Sequence, residues 1–410
     1  MDKIGVLVVD DSALMRSLIG NIISSSPDLY VVDKAMNGRF ALKKLAQIHP
    51  DVIILDIEMP EMNGIEFLEA RRKLGIEIPV VILSSIAKAR AHVTMQCLEL
   101  GASDFVTKPS GSESLDLHTV ANQIIELLYG YGSRYHIKKQ SGLIKPLPVD
   151  QLRSFGTSLG DMERSFSKID IEPELDNTAV PAVPEIPQRP RTPHVSHISF
   201  PGKDRTQAKP VPVRSPGNIE IIAIGISTGG PNALREVFPH LSPDLPQPIV
   251  VVQHMPPSFT EEFANSLNRI CPLEVKEAKD GDIVKAGRIL IAPGDFHMIV
   301  ERKPLATTVR ITDDPPQNGH RPSVDVLFES IKKNYQNHAL AIIMTGMGRD
   351  GAAQITELYK EGARTIGQDQ NSSIVYGMPR VAYEMGGIME QLPLSEIASA
   401  INRYGMEFRK

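Results

Sequence analysis

Short apolar runs alternate with helix-like segments over the first 130 residues of the chain. The five runs are Ile4–Val9, Tyr30–Lys34, Val52–Leu55, Val80–Leu83 and Asp104–Val106. This alternation predicts a parallel sheet with helices on both faces. We therefore predict a doubly wound, five-stranded α/β domain over residues 1–130, with strand order 2-1-3-4-5.

The same alternation returns near residue 218 and continues to residue 410. The main apolar runs are Ile219–Gly225, Ile249–Val252 and Ala339–Met344, and helices are predicted at Phe259–Ile270 and Ser323–Asn334. Shorter runs between Val275 and Ile311, with turn signals at Asp280-Gly281 and Pro293-Gly294, predict an inserted β-hairpin. We predict a second doubly wound α/β domain with a mainly parallel sheet over residues 218–410.

Between the two domains, over residues 131–217, the periodicity fades. Twelve of the 32 prolines of the chain lie in residues 134–216, mostly after Glu172. Because proline interrupts helices and central strands, this composition predicts a flexible, proline-rich linker. An amphipathic stretch near Leu152–Ile169 favours either a transient helix or a segment that binds a partner.

Composition narrows the classes of function. The net charge of the 410 residues is −5, and residues 217–410 hold 23 acidic and 19 basic residues, so no basic surface for nucleic acid is expected. Two distant cysteines, Cys97 and Cys271, indicate neither a disulfide framework nor a metal site. There is no signal-peptide pattern, and no apolar run approaches the ~20 residues that span a membrane. We expect a cytoplasmic protein that does not insert into a membrane.

Acidic residues stand at the ends of two strands of the first domain. Asp10 and Asp11 follow the first apolar run, and Asp56 ends the third. Strands 1 and 3 flank the point where ligands bind in such a sheet, so these carboxylates are expected to meet in one crevice. Neighbouring carboxylates repel one another unless a hard cation such as Mg²⁺ joins them. Ser84 and Lys108, at the ends of the fourth and fifth runs, lie at the same edge, where they can contact a phosphoryl group.

Single residues of this set also have structural explanations, since Asp11 can be a helix N-cap and Lys108 a solvated loop charge. The stretches V-V-D-D-S, L-D-I-E-M-P-E-M-N-G, S-S and V-T-K-P together resemble the receiver domain of two-component response regulators, a flavodoxin-like fold. The resemblance implies that Asp56 accepts a phosphoryl group from a histidine kinase and that Asp10 and Asp11 help to hold Mg²⁺. It also implies that Ser84 and Lys108 sense the phosphate, and that Phe105 is the aromatic residue that moves on activation.

In the second domain, three chemically reactive residue types follow three buried strands. Ser227 lies in a glycine-rich strand-to-helix turn, His254 follows the second strand, and Asp350 follows the third. The carboxyl ends of parallel strands share one edge of the sheet, so the three side chains can act as nucleophile, base and orienter. Each also has an ordinary explanation: a helix cap or phosphate cradle for the serine, a loop histidine, and a helix N-cap for the aspartate. His320 is a further histidine that can lie in a polar loop near the site.

The stretches I-G-I-S-T-G-G, V-V-Q-H-M-P-P, R-P-S-V-D-V-L-F and M-T-G-M-G-R-D-G resemble the chemotaxis protein-glutamate methylesterase family. The resemblance covers both domains but not the linker, which is longer than the usual connector of the family. It implies hydrolysis of glutamate γ-methyl esters on chemoreceptors by Ser227, His254 and Asp350, deamidation of receptor glutamines, and no cofactor for the ester reaction. We expect backbone N–H groups near Thr228 or Met347 to stabilise the oxyanion.

The resemblance also implies that the unphosphorylated receiver covers the active-site edge. We expect a monomer. Two other classes remain as alternatives: a non-catalytic phosphate or nucleotide binder that uses the glycine-rich loops, and an adaptor whose linker recruits a partner. Neither loop completes a known nucleotide-binding pattern.

Overall fold

The computed structural model describes residues 2–85, 88–108, 114–157 and 210–409. The first sheet has five parallel strands in the order β2-β1-β3-β4-β5, which confirms the predicted order. Its strands are β1 (Ile4–Val9), β2 (Leu29–Ala35), β3 (Val52–Asp56), β4 (Val80–Ser84) and β5 (Asp104–Thr107). Every residue of β1, β3 and β4 is buried, because helices cover both faces of the sheet.

The helices of this region are α1 (Ala13–Ser25), α2 (Gly38–Leu45), α3 (Gly64–Lys73), α4 (Lys88–Glu99), α5 (Ser114–Gln140) and α6 (Val149–Thr157). Helix α5 therefore continues ten residues beyond position 130, where the sequence pattern placed the start of the linker. Tyr131 and Tyr135 extend its buried face, and the hydroxyl of Tyr131 donates a hydrogen bond to the carbonyl oxygen of Ser103 at 2.7 Å. Helix α6 buries Leu152 in a core cluster that includes residues of both sheets.

Helix α6 and the last ten residues of α5 lie within the segment that the pattern assigned to a flexible linker. Two tyrosines at helical spacing carry a weaker apolar signal than aliphatic residues do, so the continuation of the helix was missed. Residues 158–209 of that segment, with most of the amphipathic stretch and of the prolines, lie outside the described residues. The domain boundaries themselves stay a prediction.

The second sheet has seven parallel strands in the order β14-β13-β12-β6-β7-β9-β8. Its strands are β6 (Ile221–Ile226), β7 (Ile249–Gln253), β8 (Glu274–Glu277), β9 (Arg288–Ile291), β12 (Ala339–Ile343), β13 (Arg364–Gln368) and β14 (Glu390–Leu392). Helices on both faces are α7 (Gly230–Val237), α8 (Phe259–Asn268), α9 (Val324–Tyr335), α10 (Ala352–Lys360), α11 (Met378–Glu384) and α12 (Leu394–Glu407). The predicted doubly wound α/β class is confirmed for both sheets.

The predicted β-hairpin is also present, as the antiparallel pair β10 (His297–Arg302) and β11 (Thr307–Thr312). Its turn lies between Lys303 and Ala306, whose backbone groups are joined by a hydrogen bond of 3.1 Å. The two turn signals noted in the sequence lie elsewhere. Asp280-Gly281 connects β8 to the parallel strand β9, and Pro293-Gly294 precedes the hairpin.

Strand β6 lies at the point where the order of the second sheet reverses. The chain proceeds from β6 to β7 on one side and returns at β12 on the other. The carboxyl ends of these three strands are therefore adjacent, and this is where such sheets bind ligands. Among the described residues, no helix is both long enough and apolar enough to cross a membrane.

Candidate active site

The turn after β6 carries the serine that the sequence singled out. Ser227 is buried, its backbone N–H donates to the carbonyl oxygen of Thr345 at 3.0 Å, and its own carbonyl accepts from the N–H of Gly230 at 2.8 Å. Gly229 has a φ of +81°, a conformation that glycine adopts without strain. The turn is thus held from both sides at the carboxyl edge of the sheet.

His254 joins the serine to a carboxylate. Its Nδ1 lies 3.1 Å from Oγ of Ser227, and its Nε2 lies 2.9 Å from Oδ2 of Asp350. Because an ionised carboxylate can only accept hydrogen bonds, we assign the ring proton to Nε2. The lone pair of Nδ1 then faces the serine hydroxyl, which is the arrangement that a general base needs.

The start of helix α9 holds the carboxylate of Asp350. Oδ2 accepts a hydrogen bond from the backbone N–H of Val324 at 2.6 Å, and Oδ1 accepts one from the N–H of Asp325 at 3.3 Å. The hydroxyl of Ser323 donates to Oδ1 at 2.7 Å. The free N–H groups at a helix N-terminus favour negative charge, so this position stabilises an ionised carboxylate.

Burial by itself would raise the pKa of Asp350. The hydrogen bond and charge of His254, together with the hydrogen bonds from Asn318 and Ser323, outweigh burial and hold the pKa of this carboxyl well below its usual range. The amide nitrogen of Asn318 lies 2.8 Å from Oδ1. Asp350 is therefore ionised at neutral pH and fixes the tautomer of the histidine.

At the site, the backbone N–H groups of the two residues named in the sequence analysis are free of intramolecular hydrogen bonds within the described part of the chain. They belong to Thr228, in the turn after the serine, and to Met347, in the loop after β12; both residues line the cleft that contains Ser227 and His254. The carbonyl oxygen of Thr228 accepts a hydrogen bond from Oγ1 of Thr345 at 2.9 Å, which orients the peptide of this turn. The sequence predicts oxyanion donors at these two positions, and that assignment stays a prediction.

The cleft has a volume of about 650 Å³, and both domains line it. Its walls in the second domain include Ser227 and His254 together with residues 318–322. Its walls in the first domain are Asp104, Phe105, Thr107, Asn122 and Gln123. The receiver-like domain therefore lies over the carboxyl edge of the second sheet.

The contact between the domains reaches the turn that carries Ser227. Oδ2 of Asp104 accepts a hydrogen bond from the backbone N–H of Gly229 at 2.8 Å, two residues after the serine. Asn232, at the start of α7, donates from its side-chain amide to the carbonyl oxygen of Ser103 at 2.7 Å. Asp104 is buried, and burial raises its pKa to about 7, although the hydrogen bonds that it accepts from two backbone N–H groups oppose this rise.

Helix α5 contacts the same turn through a neighbouring loop. The guanidinium of Arg134 donates to the carbonyl oxygens of Asn371 and Ser373, at 2.5 and 2.6 Å. Ile374 follows and packs so closely that a side chain at Gly130 or Gly229 would collide with it. The unpredicted extension of α5 thus takes part in the contact between the domains.

The residues of the predicted phosphorylation site lie close together in the first domain. Ligand atoms of Asp10, Asp11 and Asp56 all lie within 4.8 Å of one another. Nζ of Lys108 lies 2.7 Å from Oδ2 of Asp56 and 3.2 Å from Oδ2 of Asp10. Burial raises the pKa of Asp10 although Lys108 opposes this effect. Three carboxylates in a partly buried pocket suit a hard divalent cation with oxygen ligands.

The two other predicted sensing residues occupy different places. Ser84 lines the Asp56 pocket, and its hydroxyl forms a hydrogen bond with that of Thr94 at 2.7 Å. Phe105 faces the second domain, where its ring stacks on that of Phe259 with centroids 5.1 Å apart. An aromatic residue that moves on activation would therefore change the contact between the domains.

Several residues that support the site were not predicted. The side-chain amide of Gln253 donates to the carbonyl oxygens of Ser227 and His254, both at 3.0 Å, and ties the ends of β6 and β7 together. In the sequence, the only feature that points to Gln253 is its place as a polar residue at the end of an apolar run. Asn318 was overlooked although Asn318-Gly319 is a typical tight-turn sequence.

Both parts of the chain are similar to known protein families. The chain matches the CheB methylesterase family over residues 222–401 and the response regulator receiver domain over residues 6–119. It is 59% identical to the protein-glutamate methylesterase/protein-glutamine glutaminase of Treponema denticola over 408 residues, covering 100% of each chain. It is 54% identical to the protein of the same name from Treponema pallidum, covering 99% of this chain and 98% of that one.

Among solved structures, the CheB methylesterase catalytic domain of Thermotoga maritima is 37% identical, with a TM-score of 0.44, and the match covers 45% of this chain and 98% of that one. The two Treponema matches extend through the segment between the domains as well as through both sheets. A receiver domain thus precedes a methylesterase domain in one chain. The chain belongs to the protein-glutamate methylesterase/protein-glutamine glutaminase family.

Proposed function

We propose that the protein removes methyl groups from glutamate γ-methyl esters of chemoreceptors by a serine-esterase mechanism. The observation that carries this proposal is the continuous hydrogen-bonded path from Ser227 through His254 to Asp350, with distances of 3.1 and 2.9 Å, in a chain of this family. Ser227 attacks the γ-carbonyl carbon while Nδ1 of His254 takes the hydroxyl proton. The imidazolium then gives that proton to the departing methoxide, so methanol leaves and a glutamyl ester of Ser227 remains.

Water completes the cycle by the same proton transfers. It attacks the acyl carbon as His254 removes its proton, and the serine leaves with that proton restored. The backbone N–H groups of Thr228 and Met347 stabilise the oxyanion in both halves of the reaction, and each such donor typically lowers the barrier by ~3 kcal/mol. Deamidation of receptor glutamines follows the same path with ammonia as the leaving group. The names of the relatives support both activities.

The receiver domain controls this reaction through phosphorylation of Asp56 by a cognate histidine kinase. Asp10, Asp11 and Asp56 would hold Mg²⁺, which neutralises charge on the phosphoryl group when it is bound. Lys108, already within 2.7 Å of Asp56, is placed to contact the phosphoryl oxygens, and Ser84 lies in the same pocket. Phosphorylation shifts the population of domain arrangements and leaves the triad unchanged. Cytoplasmic location and a monomeric state stay predictions.

Methanol release from methylated receptor membranes tests the proposal. We expect release by the wild-type protein, and we expect it to rise when Mg²⁺ and a small-molecule phosphodonor are added. A tenfold rise needs only ~1.4 kcal/mol of differential stabilisation between arrangements. The Asp56→Asn protein should keep its basal rate and ignore the phosphodonor. Stimulation of this variant equal to that of the wild type would show that another residue accepts the phosphoryl group.

The buried carboxyl of Asp104 predicts a pH dependence of this control. The arrangement in this structure, with the receiver-like domain over the active-site edge, is called closed. In it the pKa of Asp104 is about 7, against 3.8 for an exposed carboxyl. The closed arrangement therefore keeps a proton on Asp104 that the open arrangement releases. The equilibrium constant for closure falls as the pH rises from about 4 to about 7, by at most about tenfold per pH unit. Basal activity, as a fraction of phosphodonor-stimulated activity at the same pH, should rise several-fold between pH 5 and 7 and then level off.

The Asp104→Asn protein is the control for this effect. Asparagine is neutral at every pH and keeps an oxygen that can accept from the N–H of Gly229. Its basal fraction should stay low and flat over the same range. A wild-type fraction that does not change with pH, or an Asp104→Asn fraction that rises in parallel with it, would show that this carboxyl does not govern closure.

A further inference from the structure

A second histidine ring lies flat against the imidazole of His254. The ring centroids of His254 and His320 are 3.9 Å apart, and the ring planes differ by 12°. Rings in this stacked arrangement attract one another and resist rotation out of the common orientation. The mechanism above uses both ring nitrogens of His254 but does not explain this neighbour.

A tight turn with anchors on both sides delivers His320 to this position. The backbone N–H and carbonyl groups of Gln317 and His320 bond to each other at 3.0 Å in both directions, and the intervening Asn318 and Gly319 both have positive φ. The Asn318 amide donates to Oδ1 of Asp350 at 2.8 Å. The turn is therefore joined directly to the carboxylate that orients His254.

The other side of the turn is held by Arg321. Its guanidinium donates to Oδ1 of Asp295 at 2.7 and 3.1 Å, and to the carbonyl oxygens of Asp313 and Asp314 at 2.9 and 3.3 Å. These contacts attach the backbone next to His320 to Asp295, Asp313 and Asp314, which are not part of the triad. The stacked ring is therefore also supported by contacts that do not involve His254.

The charge of His320 suits a neighbour that becomes cationic during the reaction. Burial, and then the proximity of His254, lower the pKa of His320 to about 4, although the charge of Asp350 opposes this. His320 is therefore neutral at pH 7. A neutral π face beside a developing imidazolium is attractive, whereas two imidazolium rings at this distance would repel each other.

We propose that His320 is a positioning residue for the base of the esterase reaction. Its ring restricts the imidazole of His254 to the plane in which Nδ1 meets Ser227 and Nε2 meets Asp350, and its neutral face stabilises the imidazolium that forms. This inference rests on the function proposed above, and it assigns a role to a residue that takes no proton from the substrate. Any flat, neutral aromatic ring at position 320 should fulfil the same role.

Steady-state methanol release by the full chain, with phosphodonor present, tests this role with two kinds of variant. The His320→Ala and His320→Gln proteins lose the ring. We expect kcat to fall about tenfold, which corresponds to ~1.4 kcal/mol of barrier, with KM changed less than about twofold. The His320→Phe protein keeps a flat neutral ring without ring nitrogens and should retain at least about a third of the wild-type kcat, since its face still stacks. His240→Ala removes an exposed histidine outside the site and serves as the matched control.

The outcomes separate this inference from the function on which it depends. Release that persists at the wild-type rate in Ser227→Ala would overturn the proposed function itself. If Ser227→Ala is inactive but His320→Ala and His320→Gln have the wild-type kcat, the positioning role is wrong. It is also wrong if His320→Phe is as slow as the alanine variant, because the ring nitrogens would then matter. The thermal unfolding midpoint of each variant shows whether the variant is folded. If the alanine variant is unstable, the glutamine variant is compared with the wild type in its place.

Discussion

Methanol release by a Ser227→Ala protein is expected to fall by about 10⁶-fold in kcat, because the variant has no oxygen nucleophile and the remaining catalysis comes only from binding and oxyanion stabilisation. The mutated hydroxyl is the one that lies 3.1 Å from Nδ1 of His254. Its removal deletes only one oxygen from a turn whose backbone bonds to Thr345 and Gly230 do not involve the side chain. The fold should therefore be unaffected, and thermal unfolding should match that of the wild type.

A matched control is available in Ser266→Ala, which removes another buried hydroxyl. This serine lies on α8 and accepts a hydrogen bond from Arg235 at 3.2 Å, away from the triad. The control should retain kcat within about twofold because the change does not touch the reacting atoms; losing its buried hydrogen bond costs about 1–3 kcal/mol of folding stability and leaves the reaction barrier unchanged. Release at the wild-type rate from Ser227→Ala would instead favour the alternatives of a phosphate or nucleotide binder or an adaptor.

Replacement of Asp350 by asparagine is expected to lower kcat by about 10⁴-fold with little change in KM, by analogy with the same substitution in a serine-protease triad. The amide can present an N–H to Nε2 of His254 where the carboxylate presents only lone pairs. The ring proton would then move to Nδ1, which faces Ser227, and the base would lose the lone pair that removes the hydroxyl proton. The imidazolium would also lose its neighbouring negative charge.

The same substitution tests whether Asp350 acts mainly through the histidine or through the fold. Asp350 also accepts hydrogen bonds from the N-terminus of α9, and an amide oxygen retains some of them. The matched control is Asp325→Asn, which alters a similarly buried carboxylate that bonds to Asn318 and to the N–H of Gln354 but not to His254. We expect a loss below about tenfold in the control, since breaking a buried hydrogen bond costs about 1–3 kcal/mol of stability and leaves the base intact. Equal losses in both variants would show that folding, and not the tautomer, explains the effect.

Much of the architecture could be predicted because its signals are local. Buried parallel strands such as β1 and β6 are continuous apolar runs, and polar residues directly after them stand out. Once the strand order is inferred, the position of Ser227, His254 and Asp350 at one edge follows from the parallel geometry. The same reasoning brought Asp10, Asp11 and Asp56 together.

The missed extension of α5 shows where such local signals weaken. Tyr131 and Tyr135 are buried only because the domain and the rest of the chain pack around them. Nothing in the local pattern distinguishes them from exposed tyrosines at the end of a helix. Similarly, the apolar runs predicted a hairpin correctly, but the turn signals within that stretch belong to other connections.

The sequence alone determined the two α/β sheets, the strand ends that carry the candidate site residues, and the family of the chain. Periodicity and short motifs are properties of neighbouring residues, so they can be read from the sequence. Only the tertiary structure decided that Nδ1 of His254 faces Ser227, that His320 stacks on the same ring, and that Asp104 bonds to the turn that carries Ser227. The last contact joins residues 125 positions apart in the chain. Side-chain orientation and contacts at such separations depend on how whole elements pack, and this information is not contained in any local stretch.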